Sequence, residues 1–137
     1  MKKGYGHFIE VFNEAKSLLE ISKIAANGLR FRDIKPLVKY LDLSFEDLSR
    51  VSSVTVITIQ NWRSTSKITP LASAYFFRMD RVLKRGIETF GSEDTFKSWL
   101  ISRNAALGTF PRELLLDLIG IELVEEALDA LHFNNVI

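Results

Sequence analysis

The chain has 137 residues, of which 47% are hydrophobic and 26% are charged, a composition typical of one compact globular domain or two very small ones. The absence of Cys excludes disulfides, thiolate zinc sites, Cys nucleophiles and iron–sulfur clusters, and the two isolated imidazoles, His7 and His132, indicate neither a metal site nor a cofactor. The net charge of +1 conceals a division, since residues 1–91 carry fifteen Lys and Arg against nine Asp and Glu, or +6, whereas residues 92–137 carry three against eight, or −5.

The charge division and the lack of long apolar runs limit the partners that the sequence predicts. The basic part suits a polyanion and the acidic part a protein surface, although two solvated faces of one domain explain the counts equally well. Glu10, Asn13 and Glu14 interrupt the first apolar run, so no signal peptide is predicted. No stretch approaches the roughly 20 apolar residues of a membrane span, and a cytoplasmic protein without membrane contact is expected.

The first predicted helix runs from Phe8 to Ala26, where apolar residues recur at the spacing of one helical face. Asn27-Gly28 then supplies a left-handed stop. A second helix is predicted over Asp33–Leu41, in which Pro36 is acceptable because it lies in the first turn. The first helix is a candidate for the contact between subunits of a dimer, although core packing accounts for it equally well.

The next two predicted helices are short and closely spaced. Ser44 begins a capping box, and a helix through Val51 follows. The segment Val54–Arg63 is rich in β-branched residues that favour a strand, but a lone strand would leave its backbone groups unpaired, so a helix is predicted. The pair has the length of a helix-turn-helix, although Ser53 stands where glycine would be easier and Ser52 where an apolar residue is expected.

The outward face of this pair has the chemistry of a DNA-reading surface. Amide side chains hydrogen-bond adenine bidentately, and the methyl groups of Val and Thr contact the methyl group of thymine. From Arg50 to Arg85 the chain has seven cations and Asp80 alone as an anion, which suits phosphate contacts, although solvated cations on an ordinary helical bundle are the alternative. The predicted DNA contacts are Thr55, Val56, Thr58, Gln60, Asn61, Arg63 and Lys67.

A long helix and a shorter one follow this region. Thr69-Pro70 opens the long helix, which is predicted to reach about Thr89 and to end at Gly91. Ser92 then caps a helix over Glu93–Ile101.

Two more helices complete the predicted fold. Pro111 begins a helix that is predicted to end at Gly120, and the last helix runs from Glu122 to Leu131. With no internal repeat and no convincing strand, the predicted fold class is all-α, with about seven or eight helices.

The carboxy-terminal part contains a series of short motifs in order. They are Phe90-Gly91, Trp99-Leu100, Asn104, Ala106-Leu107-Gly108, Pro111, Leu114-Leu115, Gly120 and Val124. The series resembles the toxin-binding region of the Xre/MbcA/ParS antitoxins. A looser likeness extends upstream to about Gly28, where that family has an Xre-like helix-turn-helix, so the resemblance covers roughly four fifths of the chain.

This resemblance implies a type II antitoxin that is itself no enzyme. Its usual partner is a RES-domain toxin, which consumes NAD or transfers ADP-ribose, and the antitoxin inhibits this toxin by covering its active site. The other region of the antitoxin binds operator DNA for autorepression. Because operators are usually palindromic, a homodimer is expected. The alternative is a stand-alone helix-turn-helix transcription regulator whose acidic carboxy-terminal bundle dimerises or senses a signal.

The resemblance also divides the chain by function. Residues 1–30 form the amino-terminal helix, residues 31–68 the helix-turn-helix region, and residues 69–137 a connecting helix and the toxin-binding domain. The helix-turn-helix part is expected to pack on the carboxy-terminal bundle. The predicted toxin contacts are Arg103, Asn104, Phe110, Arg112, Glu113, His132, Phe133, Asn134 and Asn135.

Many motif residues also have a purely structural explanation. Asn104 is able to close a turn, Gly108 to adopt a positive φ and Pro111 to start a helix. The chain departs from the family pattern at Leu71–Tyr75, and in the tail His132–Ile137, where Asn replaces glycine in an expected left-handed turn. Helical spacing alone predicts a core position for Trp99, Leu107, Leu114, Leu115 and Val124.

Overall fold

A computed structural model describes residues 4–136 of the chain, and the side chains of residues 4–133. Within that range every regular element is a helix, which confirms the all-α prediction. In chain order the helices are α1 (Glu10–Glu14), α2 (Leu18–Asn27), α3 (Phe31–Leu41), α4 (Phe45–Ser52), α5 (Val56–Gln60), α6 (Pro70–Phe90), α7 (Glu93–Leu100), α8 (Pro111–Leu114) and α9 (Leu118–Val136).

The helices divide between two compact units, Met1–Arg81 and Val82–Ile137. The first unit holds α1 to α5 and the beginning of α6, and the second holds the end of α6 and the last three helices. The functional division into residues 1–30, 31–68 and 69–137 stays a prediction.

The prediction of one helix from Phe8 to Ala26 is wrong, because the chain breaks between α1 and α2. Ala15 is extended, and Ser17 caps α2 by accepting a hydrogen bond from the Glu20 amide at 3.2 Å. The Glu20 carboxylate in turn accepts from the amide of Lys16 at 2.7 Å. Reciprocal capping of this kind satisfies amides that an uninterrupted helix would have bonded internally.

The predicted helix over Asp33–Leu41 is confirmed as α3, but it begins two residues earlier, at Phe31. The Asp33 carboxylate accepts from the amide of Arg30 at 2.8 Å, and the amide of Phe31 donates to the carbonyl of Ser66 at 2.8 Å. Pro36 is therefore the sixth residue of the helix and not part of its first turn, as the sequence had indicated.

A buried carboxylate fixes the amino-terminal segment to α6. Asp80 is fully buried, and its two oxygens accept from the amides of His7, Phe8 and Ile9 at 2.8, 2.8 and 3.0 Å. Burial raises the pKa of Asp80, because the loss of water around the carboxylate outweighs the three hydrogen bonds that favour its ionised form. We name these three hydrogen bonds, from the amides of residues 7–9 to the Asp80 carboxylate, the clasp. The clasp positions Ile9 and Phe12, both fully buried, in the core of the first unit.

The core of the second unit is built around an aromatic cluster. Phe90, Phe96 and Trp99 lie with their ring centroids 5.5 to 5.9 Å apart. The Phe96 ring lies directly over Gly86 of α6, where a Cβ atom would collide with it. The predicted cap at Ser92 is confirmed, since its hydroxyl accepts from the amide of Thr95 at 3.1 Å, and Gly91 ends α6 with a φ of 89°.

The predicted end of a helix at Gly120 is wrong. The helix that begins at Pro111 ends at Leu114, and Gly120 lies inside the first turn of α9. Asp117 accepts from the amide of Gly120 at 2.6 Å and so caps α9. A Cβ atom at residue 120 would collide with the carbonyl oxygen of Leu114, so glycine is required for close packing of α8 on α9.

The last helix also runs further than predicted. It does not end at Leu131 but continues to Val136, so the left-handed turn expected in the tail is absent from the described backbone. Val124 is fully buried, as the helical spacing predicted, and Leu128 one turn later is fully buried too.

Candidate functional site

The turn between α7 and α8 is held together by Asn104. Its backbone amide donates to the carbonyl of Thr109 at 2.9 Å, and its carbonyl accepts from the amide of Gly108 at 2.8 Å. Its side-chain oxygen accepts from the amide of Leu107 at 3.0 Å. These three bonds support the structural explanation of Asn104, whose side chain shapes the turn from within.

The outer surface of this turn carries an arginine and a phenylalanine. The Arg103 guanidinium donates to the carbonyl of Gly108 at 3.1 Å, while the side chain remains exposed. Gly108 has a φ of 75°, a backbone conformation that favours glycine. No described atom lies within 4 Å of the position of a Cβ atom there, so the need for glycine comes from the backbone conformation and not from close packing. Phe110 is exposed at the end of the turn, directly before α8.

The two charged candidates on α8 pair with each other. The Arg112 guanidinium lies 3.2 Å from the Glu113 carboxylate. The Arg112 side chain is 17% exposed, whereas Glu113 is exposed. Glu113 is therefore the more accessible residue of this pair.

The predicted tail residues lie at the far end of α9. His132 and Phe133 are exposed, with ring centroids 5.6 Å apart. The side chains of Asn134 and Asn135 lie outside the described ones. Phe133 follows Gly120, the residue against α8, by thirteen residues, which is about 20 Å along a helix. The predicted contacts therefore form two separate groups.

A row of exposed residues on α9 joins these two groups. Its members follow one another at spacings of four, three, four and three residues, which keeps them on one face of the helix. Ile119 and Phe133, at its two ends, are 67% and 65% exposed. We name this row the α9 stripe; it consists of Ile119, Leu123, Glu126, Ala130 and Phe133.

Sequence reasoning missed most of the α9 stripe. Apolar residues lie on two opposite faces of α9, because Val124 and Leu128 are buried while Ile119 and Leu123 are exposed. Two apolar faces on one helix were visible in the sequence, and they indicate a second packing partner beyond the core. The exposed carboxylates of Glu122 and Glu126 border the apolar side chains.

The second unit also matches a known family. Residues 85–133 match the family model described as the antitoxin Xre/MbcA/ParS C-terminal toxin-binding domain. This segment is similar to the toxin-binding domains of the Xre/MbcA/ParS antitoxins. The match lies within Val82–Ile137 and confirms the resemblance to this antitoxin family. A search of curated proteins finds no significant match to the chain.

Within the segment that matches this family, the motif residues have separate structural roles. Phe90 and Trp99 belong to the aromatic cluster, and Gly120 allows α8 to approach α9. Arg85 of α6 forms an ion pair with Asp129 of α9. These residues hold this part of the chain together and position the exposed residues around them.

The first unit contains the pair of short helices that the sequence predicted. Three residues, Ser53 to Thr55, separate α4 from α5. Ser53 has a φ of 56°, so this non-glycine residue occupies the left-handed position that glycine takes more easily. Leu48 of α4 and Ile59 of α5 are buried, and the Ser52 hydroxyl is buried without a hydrogen-bond partner among the described residues.

Some of the predicted DNA contacts already form hydrogen bonds within the protein or are partly buried. Thr55 caps α5, and its hydroxyl lies 3.0 Å from that of Thr58. The Lys67 ammonium donates to both oxygens of Asn27, at 3.1 and 3.2 Å. Val56 is partly buried. The remaining predicted contacts are exposed, namely Gln60, Asn61 and Arg63.

Other kinds of site have little support in the part of the chain that the structure describes. No three His, Asp or Glu side chains gather there as a metal site would require. No helix among the described residues combines the length and apolar character needed to cross a bilayer.

Proposed function

We propose that the protein is a type II antitoxin that binds a RES-type toxin through the second unit and covers its active site. The observation that carries this proposal is the exposed α9 stripe, which lies within the segment that matches the toxin-binding family. The NAD-consuming or ADP-ribosylating chemistry belongs to the toxin, and the antitoxin contributes a surface.

The α9 stripe indicates the shape and charge of the toxin surface that would bind it. Ile119, Leu123 and Phe133 present apolar side chains along about 21 Å of helix, which favours an apolar groove that accepts one helical face. Glu122 and Glu126 beside them favour basic residues on the rim of that groove. Phe133 and Phe110 are the aromatic anchors.

Co-purification with the product of the adjacent gene tests this proposal. Leu123→Glu places a charge in the stripe and is expected to abolish the complex, whereas Leu71→Glu, at an exposed leucine in the first unit, is the matched control and is expected to retain it. Failure of the unchanged protein to bind that toxin would favour the alternative, a stand-alone transcription regulator.

We further propose that α4 and α5 form a helix-turn-helix that binds operator DNA for autorepression. The three-residue connection and the burial of Leu48 on α4 and Ile59 on α5 support this proposal. From Arg50 to Lys67 the chain has three cations and no carboxylate, as phosphate contacts require. Binding to the upstream region of the gene is expected to weaken steeply with salt; no binding at low salt would contradict it.

We also propose that the protein is a homodimer through α2. A groove of about 500 Å³ lies between α2 and the start of α6, and small and apolar residues such as Ala25 and Ala74 line it. Leu18 and Leu71 are exposed at this groove, and Leu19 is exposed on α2. Projecting leucines and a groove on the same face are the elements of a self-complementary two-fold contact, as a palindromic operator requires.

A further inference from the structure

Ile57 is a large aliphatic residue on the surface of α5. Its side chain is 70% exposed, although it lies two residues before Ile59, which is buried in the core. The buried Ile59 and the cap at Thr55 fix the short helix, so the position of Ile57 on the surface is also fixed.

The surroundings of Ile57 indicate the class of its partner. Thr58, Gln60 and Asn61 are exposed polar neighbours, so α5 does not present the contiguous apolar patch that a protein partner requires. No carboxylate occurs between Arg50 and Lys67, and a segment whose charged side chains are all basic is complementary to phosphate. Nucleic acid fits both observations better than a protein does.

We propose that Ile57 contacts the 5-methyl group of a thymine in the major groove and thereby selects a T·A pair. The proposal rests on the proposed DNA binding by α4 and α5. Isoleucine has no hydrogen-bonding group in its side chain, so it distinguishes bases only through an apolar contact. Thymine is the base that offers a methyl group in the major groove of unmodified DNA.

The spacing along α5 adds a second feature to this site. Gln60 and Asn61 follow Ile57 by three and four residues, which places them beside it on the helix surface. An amide side chain hydrogen-bonds adenine bidentately. The selected thymine therefore lies next to a position at which adenine is preferred.

The experiment begins with sites that the full chain selects from a random pool of 25-base-pair duplexes. Each thymine of the selected site is then replaced by deoxyuridine, which differs by the methyl group alone. At one thymine position of each half-site, a single replacement is expected to weaken binding about fourfold, which corresponds to the loss of one buried methyl group. Ile57→Ala is expected to bind the thymine and deoxyuridine duplexes equally, whereas the control Ile101→Ala, at an exposed isoleucine of the second unit, keeps the fourfold difference.

The outcomes separate this inference from the function on which it rests. If every deoxyuridine duplex binds the unchanged protein as tightly as its thymine counterpart, or if Ile57→Ala keeps the difference, the thymine contact is overturned while DNA binding stands. If the unchanged protein enriches no sequence from the pool, the proposed DNA binding fails and the contact fails with it. Circular dichroism of Ile57→Ala is expected to match the unchanged protein, because the side chain is exposed.

Discussion

The carbonyl oxygen of Leu114 lies so close to the Cα atom of Gly120 that a Cβ atom at residue 120 would collide with it. This contact joins α8 to the first turn of α9 and explains why a glycine occurs inside a helix, where it costs about 1 kcal/mol relative to alanine. The glycine therefore serves the packing of α8 against α9 in the second unit.

Gly120→Ala is therefore expected to destabilise the protein, although alanine is the better helix former. Because the colliding atom belongs to the backbone, α8 must shift, and we expect a loss of about 2 kcal/mol or more in the free energy of unfolding. Urea denaturation measures it. Glu122→Ala, at an exposed position on the same helix, is the control and should change stability by less than about 0.5 kcal/mol. A neutral or stabilising Gly120→Ala would contradict the close approach.

The clasp at Asp80 predicts a second loss of stability. In Asp80→Asn, an amide nitrogen replaces one carboxylate oxygen and no longer accepts from the backbone amides of the amino-terminal segment. Leaving such amides unsatisfied is expected to lower the free energy of unfolding by about 2 kcal/mol. Hydrogen exchange at His7 and Ile9 should accelerate in this variant, and unchanged protection at these amides would exclude the clasp.

The same residue predicts a pH dependence. Burial raises the pKa of Asp80, so between the ordinary aspartate value of about 3.9 and the raised value the folded state binds more protons than the unfolded state. The free energy of unfolding that Asp80 contributes therefore falls as pH rises through this window. The stability difference between the unchanged protein and Asp80→Asn should shrink from pH 4 upwards. A difference that grows with pH would show a lowered pKa instead.

Asn104→Ala tests whether the Asn104 side chain holds the turn between α7 and α8 in the conformation that binds the toxin. Loss of the side-chain bond to the Leu107 amide is expected to cost about 1 kcal/mol of stability and to weaken toxin binding by loosening Arg103 and Phe110. Asn104→Asp keeps the accepting oxygen and should retain most of both. Equal toxin affinity of Asn104→Ala and the unchanged protein would limit the turn to a structural role.

The proposed dimer predicts that Leu19→Glu is monomeric. This leucine is exposed on α2, the helix that forms one wall of the apolar groove, and a charge there is incompatible with an apolar contact between two subunits. Light scattering after gel filtration measures the mass. Ile57→Glu, which changes an exposed apolar residue elsewhere in the same unit, should leave the dimer intact. A monomeric unchanged protein would contradict the proposal.

Local signals in the sequence predicted most of the helix boundaries. The caps at Ser44 and Ser92 and the start of α6 at Pro70 depend on residues within one turn, so the sequence alone was sufficient to identify them. The Ser17–Glu20 signal is equally local, but it was overlooked because the apolar spacing continues across the break between α1 and α2.

Contacts between residues that lie far apart in the sequence could not be predicted from it. Asp80 meets residues more than 70 positions away, and no local pattern reveals such a pairing. Gly120 was interpreted as a stop because glycine ends helices more often than it permits contact with a neighbouring helix. The α9 stripe required knowledge of which apolar face the core covers, and the fold supplies that knowledge.

The most direct test of the central claim is the rate of NAD loss catalysed by the purified product of the adjacent gene. One equivalent of the unchanged protein is expected to suppress that rate, and Leu71→Glu is expected to do the same. Leu123→Glu is expected to leave NAD loss unchecked, because a charge in the α9 stripe disrupts an apolar contact. Undiminished NAD loss with the unchanged protein, or full inhibition by Leu123→Glu, would contradict inhibition through the α9 stripe.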